Sequence, residues 1–533
     1  MKSRPLRWFS LSLLIGLLSI FLYSRRVSAP ELGNDSYQYL DAASHVASGA
    51  CLCTTVAHFD EQVGWGRMPI PFTHFGPAYP LAIAGLKVLG LPVETGGYLL
   101  SVAGYLLVIC LIWLTSYYLE IEPWSIALVC LVWSVNFLAL DLGVSVGTDC
   151  LFTALFTGVC ALVAYDVRNV ARPRPAVLLA LGALVGAGFW LRQAGLFLVP
   201  PLFLYLAWRW WRQPRSRPYA LGGAALALTL VAWIMARNIR LVHSWNSGFA
   251  NGRHAPWQTV ISESARVPYH VLFGTQTKAH LDIWAVLFFT SLLVLAWRAL
   301  ANRRQGPAPA RLPHTQRTTV IWMLVFAAAF AGGTLVAELR TIVADYVRYD
   351  FPLLPIVLIV CGVLFRFVSD RIGRVAALAC VLSVVMIDVH SLVAQRQAGM
   401  SSLPTDLLAQ QVQPGTSMRT WIEQTVPPDA TLIATEGQAV HYLLNRPVVA
   451  IIEPQYTVHT WDETDLRSVM RRFGAQYILV FPGAGKERAP EQQSVPFLLA
   501  LSEGHNPEWL SVAARTPGVI LYRCSTCSTA PLS

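Results

Sequence analysis

The stretch GNDSYQYLDAASHVASG, Gly33 to Gly49, follows the first long apolar run of the chain. Its spacing predicts a short helix, opened by Asn34 or Asp35 and closed by Gly49. Tyr39, Leu40, Ala43, Val46 and Ala47 fall on one face, and Gln38, Asp41, His45 and Ser48 on the other. Such a helix is too polar to cross a bilayer and suits the plane of its interface. Its reading therefore turns on whether a membrane lies beside it.

Of the 533 residues, 55% are hydrophobic and 13% charged, the latter about half the usual share. Folded in water, this composition would expose large apolar patches. Eighteen Trp fit a bilayer, because the indole ring gathers at its interfaces. The net charge of +10 points to no nucleic acid, since the basic residues sit in short clusters between apolar runs. The opening MKSRPLRWFSLSLLIGLLSIFLYSRR has the basic start and apolar middle of a signal peptide. It has a poor small-residue cleavage pattern, and reads as an uncleaved first span.

A span needs roughly 20 mostly apolar residues. The candidates are Phe9–Tyr23, Gly96–Leu119, Pro123–Gly143, Asp149–Asp166, Ala176–Leu191, Gly195–Trp211, Leu221–Ala236, Ile283–Ala299, Val320–Ala337, Phe351–Val368 and Val375–Val393. Five basic clusters flank them: Lys2 to Arg7, Arg168 to Arg174, Arg209 to Arg217, Arg298 to Arg317 and Arg366 to Arg374. With about eleven spans, all five fall on one side, which is then cytoplasmic. The other side receives residues 24–95, the loop Arg237–Asp282 and everything after about Gln395. That last segment changes character. Strand-like runs Thr431–Thr435, Pro447–Ile452, Ala475–Phe481 and Val519–Tyr522 alternate with helical stretches Gln438–Leu444 and Asp462–Phe473. The expected architecture is a polytopic α-helical membrane domain, residues 1–395, with a first outer loop 24–95 that carries the helix quoted above. An extracytoplasmic α/β domain, residues 396–533, follows it.

Six of the ten Cys lie in or at the ends of spans, where Cys is a small apolar filler. Cys51, Cys53, Cys524 and Cys527 face outward, where disulfides persist, with their pairing left open. By spacing alone Cys524 and Cys527 also suit a redox or metal pair, but a zinc site needs four ligands and no second pair of suitable spacing is evident.

Asp35-Ser36-Tyr37-Gln38-Tyr39-Leu40-Asp41-Ala42-Ala43 resembles the first outer loop of the C-type (GT-C) membrane glycosyltransferases, among them the protein O-mannosyltransferases and the lipid A aminoarabinose transferases. His74-Phe75-Gly76-Pro77 is similar to their His/Pro-rich stretch. Gly147-Thr148-Asp149, Leu191-Arg192-Gln193, Trp233 to Asn238 and Arg348-Tyr349-Asp350-Phe351-Pro352 follow in family order. Pro428-Asp429-Ala430 and Asn445-Arg446-Pro447-Val448 resemble the outer domain of bacterial members. Each motif is short; their order and their common side carry the resemblance. Members often have two adjacent acids in the first loop, whereas here Ser36 follows Asp35. That departure disfavours direct metal coordination there and leaves a single-base mechanism intact.

The resemblance implies a polyprenyl-phosphate sugar donor and inverting transfer to a lipid, glycan or protein acceptor. The site would face the outside of the cytoplasmic membrane. An oxocarbenium-like transition state calls for a base on the nucleophile, and Asp35 is the candidate. A leaving phosphate calls for fixed cations, and Arg192, Arg237 and Arg348 are placed at span ends to serve. An Arg at a span end also simply snorkels to the headgroups, and Asp35 also reads as a plain helix cap. Tyr37, His74, Asp149, Arg253 and His254 are candidates for acceptor contacts or for supporting the charged groups, with Glu338 a further partner for an Arg. No cofactor is assigned. A divalent metal is left open, with His58, Asp60 and Glu61 as candidate ligands whose plainer reading is a solvated acidic turn. Two rivals stand beside this reading. A secondary transporter would show broken helices and mid-membrane polar residues. An O-antigen ligase or polymerase type of protein would use the Arg- and His-bearing loop Arg237–Asp282. The outer domain shows no catalytic constellation, and reads as an acceptor-binding or stabilising module.

Overall fold

The computed structural model describes residues 3–27, 29–58, 68–169, 174, 176–245, 257–273, 284, 286–288, 290–295, 297, 312–340, 346–365, 371–397, 411–451, 462–484 and 495–527. The membrane part begins with α1 (Ser3–Val27), the quoted helix α2 (Asn34–Ala47) and α3 (Ala78–Val88). It continues through α4 (Val93–Tyr118), α5 (Pro123–Val135), α6 (Phe137–Val144), α7 (Asp149–Arg168), α8 (Ala176–Leu191), α9 (Val199–Arg212) and α10 (Arg217–Val242). After α11 (Trp257–Phe273) come helices His314–Arg340, Leu354–Phe365 and Arg371–Gln397. Among the described residues, 7 helices are long and apolar enough to cross a membrane, or 8 if α5 and α6 form one bent span. About eleven were expected. The runs Ala176–Leu191 and Gly195–Trp211 form helices shorter than this length, and Ile283–Ala299 lies partly outside the described residues. The chain is a polytopic α-helical membrane protein.

The third expected span is bent by 58° at Asn136. A break frees the first amides of the following helix, and they must find partners. The Asn136 side chain accepts from Ala139 N at 3.0 Å, and Asp388 on helix Arg371–Gln397 accepts from Phe137 N at 3.3 Å. Each of these side chains thus caps one freed amide of α6, and Asn136 Nδ2 also donates to Val271 O at 3.0 Å. Beyond α6 the chain runs extended beside the first outer loop. Glu31 N donates to Val144 O at 3.2 Å, and Val146 N donates to Glu31 O at 3.0 Å. That short ladder sets the entry to α7 against the entry to α2. Elsewhere the bundle closes by direct backbone approach: a Cβ on Gly182 of α8 would strike the Gly223 carbonyl of α10.

The domain expected on the outer side, called the outer domain below, is a sheet with helices on both faces. Its order is β2-β5-β4-β6-β8-β7, from β2 (Val56–His58), β4 (Leu432–Thr435), β5 (Val448–Ile451), β6 (Tyr477–Val480), β7 (Leu510–Thr516) and β8 (Val519–Cys524). β2, β5, β4 and β6 run parallel, and β8 and β7 close the far edge antiparallel. Helix Glu463–Phe473 packs Leu466 and Met470 on one face. Helix Gly437–Leu444 covers the other, together with Tyr37 of α2. β2 belongs to the first outer loop, so the sheet crosses the boundary drawn at residue 395. The same loop holds a two-stranded pairing of β1 (Cys53–Thr54) with β3 (Ile70–Pro71). The four cysteines expected to face outward form the local disulfides Cys51–Cys53 and Cys524–Cys527.

Candidate active site

Asp35 sits in the first turn of α2 but is not its cap. The cap position is Gly33, and Ser36 closes the turn by accepting from Gly33 N at 2.9 Å. Ser36 then donates to Val146 O at 2.7 Å, which draws the start of α2 against the turn that leads into α7. Asp149 is the first residue of α7. Two loops from separate helices therefore deliver two carboxylates to one place.

Arg348, on the short helix Tyr346–Asp350, joins them. Its Nη2 lies 2.9 Å from Asp35 Oδ2 and 2.9 Å from Asp149 Oδ2, and its Nε donates to Asp149 Oδ2 at 3.0 Å. Arg192, just past α8, pairs with Asp149 Oδ1. The Arg192 guanidinium also lies over the Tyr349 ring at 4.9 Å, a cation–π contact. The four charges cancel, but their exposure is graded. The side chain of Asp149 is 2% exposed, Arg192 12%, Arg348 26% and Asp35 33%. The buried carboxylate anchors two guanidiniums, and the open side of the cluster presents Asp35 and Arg348. Tyr39, buried beside this cluster, has its hydroxyl pushed well above its ordinary pKa by burial and then by the Asp35 charge, so it stays protonated.

The expected His/Pro stretch supports Arg192 through the backbone. Gln193 Nε2 donates to His74 O at 3.0 Å. At Gly76 a Cβ would collide with the Trp190 carbonyl, so only glycine lets this turn lie on the end of α8. The His74 ring is buried and packs edge-on against Phe75. Arg237 is spent differently: it donates to Phe72 O at 3.0 Å and Leu52 O at 3.4 Å, holding the first outer loop. Tyr37 points to the outer domain, its ring 5.1 Å from that of Tyr442. Glu338 is buried and accepts from Ser264 at 3.4 Å, apart from the Arg192 and Arg348 contacts. Arg253, His254, Asp60 and Glu61 lie outside the described residues, as does the side chain of His58, which ends β2. Among the described residues, no group of three or more His, Cys, Asp or Glu side chains is placed to hold a metal ion.

The polar face of α2 does not lie open at an interface, as its amphipathic pattern predicts. Gln38 is buried, and the Asp41 side chain is 10% exposed with His441 of the helix Gly437–Leu444 against it. Sequence reasoning missed Ser36 as the tether and Tyr349 as the ring under Arg192. Tyr349 carried a signal, its place next to Arg348; Ser36 carried none beyond replacing an expected acid.

Residues 75–235 match the family model of dolichyl-phosphate-mannose-protein mannosyltransferases. Over 99% of both chains, the structure is similar to that of ArnT from Cupriavidus metallidurans, at 12% identity. The TM-score is 0.57 for the apo state and 0.56 for the form bound to undecaprenyl phosphate. It is similar to the Archaeoglobus fulgidus oligosaccharyltransferase tethered with an acceptor peptide, at 10% identity and TM-score 0.51, over 90% of this chain and 69% of that one. It is also similar to the arabinofuranosyltransferase AftD from Mycobacteria, at 15% identity and TM-score 0.52, over 97% of this chain and 41% of that one. A search of curated proteins finds no match. At these identities the likeness is one of fold: the chain has the C-type glycosyltransferase fold, and the resemblance read from its sequence is borne out.

Proposed function

We propose that this chain is an inverting glycosyltransferase that takes a sugar from a polyprenyl-phosphate donor and passes it to an acceptor at the outer face of the cytoplasmic membrane. The observation that carries the reading is the graded cluster, in which Asp35 and the buried Asp149 share the Arg348 guanidinium. An acceptor hydroxyl or amine attacks the anomeric carbon as the bond from that carbon to the phosphate oxygen breaks. The proton passes to Asp35, and the bonding electron pair stays on the phosphate. The phosphate gains charge as it leaves, and Arg348 and Arg192 stand fixed to hold it. Asp149 keeps both guanidiniums in place before the donor arrives, so little reorganisation accompanies the chemistry. The matched family model and the undecaprenyl phosphate bound to ArnT support a lipid-phosphate donor. The sugar and the acceptor are set by contacts outside this cluster.

The test is donor consumption by the purified chain across a panel of polyprenyl-phosphate sugars, with and without acceptor extracts. Wild type should consume one donor class, and a folded Asp35→Asn chain should not. Full turnover in Asp35→Asn would remove Asp35 from the chemistry. Transport of a solute without sugar loss would favour the transporter reading, which the bent span at Asn136 supports.

A further inference from the structure

α2 is held on two sides. Asp35 faces the membrane helices, and Asp41, six residues on, lies on the other flank of the helix. Asp41 Oδ2 accepts from Thr54 Oγ1 and from Thr55 N, each at 2.7 Å, which ties α2 to β1 and the residue after it. Its Oδ1 lies 3.4 Å from His441 Nε2, on helix Gly437–Leu444 of the outer domain. The other ring nitrogen of His441, Nδ1, stands 2.6 Å from the Arg446 carbonyl. A carbonyl only accepts, so Nδ1 carries a hydrogen and donates. Nε2 then carries a hydrogen only when the ring is an imidazolium. Loss of that proton turns an ion-paired hydrogen bond into a lone pair facing a carboxylate, inside a site where His441 is 7% exposed. The tilted ring contact of Tyr37 with Tyr442, the residue after His441, joins the same two helices.

We propose that His441 is a positioning residue for the reaction: as an imidazolium it clamps Asp41, holds α2 against the outer domain, and so keeps Asp35 in register with Arg348. This rests on Asp35 being the base. The outer domain is then part of the site's scaffold.

Among the described residues, His45 and Arg446 also face the pair. His45, on α2 itself, lies 3.5 Å from Asp41 Oδ1 and is a tie within the helix. Arg446 offers its carbonyl and turns its guanidinium to Val426 O at 2.9 Å. Burial alone would push His441 down, but the Asp41 hydrogen bond and charge, with the Arg446 carbonyl, hold it above its ordinary value. Burial alone would push Asp41 up, but His441, Thr54 and Thr55 hold it below its ordinary value. A raised histidine contributes fully below its unfolded value of 6.5 and loses its contribution as pH rises through the folded value. A lowered carboxylate contributes above 3.8 and loses its contribution as pH falls through the folded value. The clamp therefore stands between these limits and opens on the alkaline side.

The experiment is hydrogen exchange on the full-length protein in nanodiscs, corrected for intrinsic rates, from about pH 6 to about pH 9, alongside donor consumption. Amides of α2 should lose at least about tenfold in protection through one titration, while β4 and β6 keep theirs. Turnover should fall over the same range in kcat, with KM for the donor little changed. His441→Ala should show unprotected α2 amides at every pH and no alkaline limb. A flat wild-type profile for α2, or wild-type protection and kcat in His441→Ala, would overturn the clamp. Should His441→Ala unfold the outer domain, the wild-type titration alone decides. If wild type consumes no donor, the glycosyltransferase reading fails, and exchange on α2 still decides whether His441 holds that helix.

Discussion

The two ends of α7 carry the same chemistry and use it differently. Asp166, near its last turn, accepts from Arg209 Nη2 at 3.2 Å and from the Tyr205 hydroxyl at 2.6 Å, and its Oδ2 lies 2.9 Å from Arg209 Nε as an ion pair. Arg209 also donates to Gln213 Oε1 at 2.7 Å. Carboxylate and guanidinium are 2% and 1% exposed, one to one, with no open side. Asp149, at the first turn, holds two guanidiniums, and one of them reaches on to a carboxylate that is a third exposed. A closed pair is out of a ligand's reach, and its loss is felt in the fold, because removing one partner leaves the other charge buried. A buried anion that anchors two cations, beside an opening, leaves those cations able to receive another anion. Access and stoichiometry, not the presence of an Arg–Asp pair, separate the two ends.

The sharpest way to break this contrast is at the open end. Asp35→Asn should lower turnover by about 10²–10⁴-fold, the usual cost of losing a general base, with the thermal midpoint unchanged. Arg348→Ala should cost about 10²–10³-fold in kcat, because a fixed charge on the leaving phosphate is lost. Both are read from donor consumption at saturating donor. A loss of fold in place of a loss of rate would make the open end structural like the other.

The closed end should respond in stability instead. Asp166→Asn leaves Arg209 buried without its counter-charge, at a cost of about 3–5 kcal/mol in unfolding measured in detergent. Turnover of the folded fraction should stay at the wild-type level. Replacing both partners, Asp166→Leu with Arg209→Met, should recover most of that loss, since the uncompensated charge goes with it. The same paired replacement at Asp149 and Arg192 should keep the chain folded and abolish transfer.

Much of this was legible in the sequence. The apolar runs fall on helices because length and hydropathy decide a span locally, and the four buried strands β4, β5, β6 and β8 were visible as short apolar runs between turn residues. β7 was not, because six of its seven residues keep some exposure and only Leu510 is buried. β2 was not, because its partner Val448–Ala450 lies far along the chain and three residues carry no signal of their own. At the site, Asp35, Asp149, Arg192 and Arg348 could each be picked out as charges at span ends. Arg237 is another charge of that kind, yet it holds loop carbonyls. Only tertiary closure sorts charges that look alike in sequence. The Asp41–His441 contact is of the same kind: two ordinary polar residues, made a pair by the sheet domain folding over α2.

The smallest expected effect tests how Asp35 is aimed. Ser36 is buried, accepts from Gly33 N and donates to Val146 O, so Ser36→Ala leaves both backbone groups without that partner. A lost buried hydrogen bond is worth about 1 kcal/mol, or about fivefold in rate if it is felt at the base. The start of α2 would slacken against the entry to α7, and kcat should fall by about that factor with KM little changed. The matching change at the closed end is Ser216→Ala, which removes a donation to Gln213 O at 2.9 Å. It should cost a similar stability and no rate. Equal turnover in the two alanine variants would mean that Arg348 alone sets the place of Asp35, and the contrast between the ends of α7 would reduce to their ion pairs. A rate loss confined to Ser36→Ala would show that the backbone tether is part of what makes the open end a site.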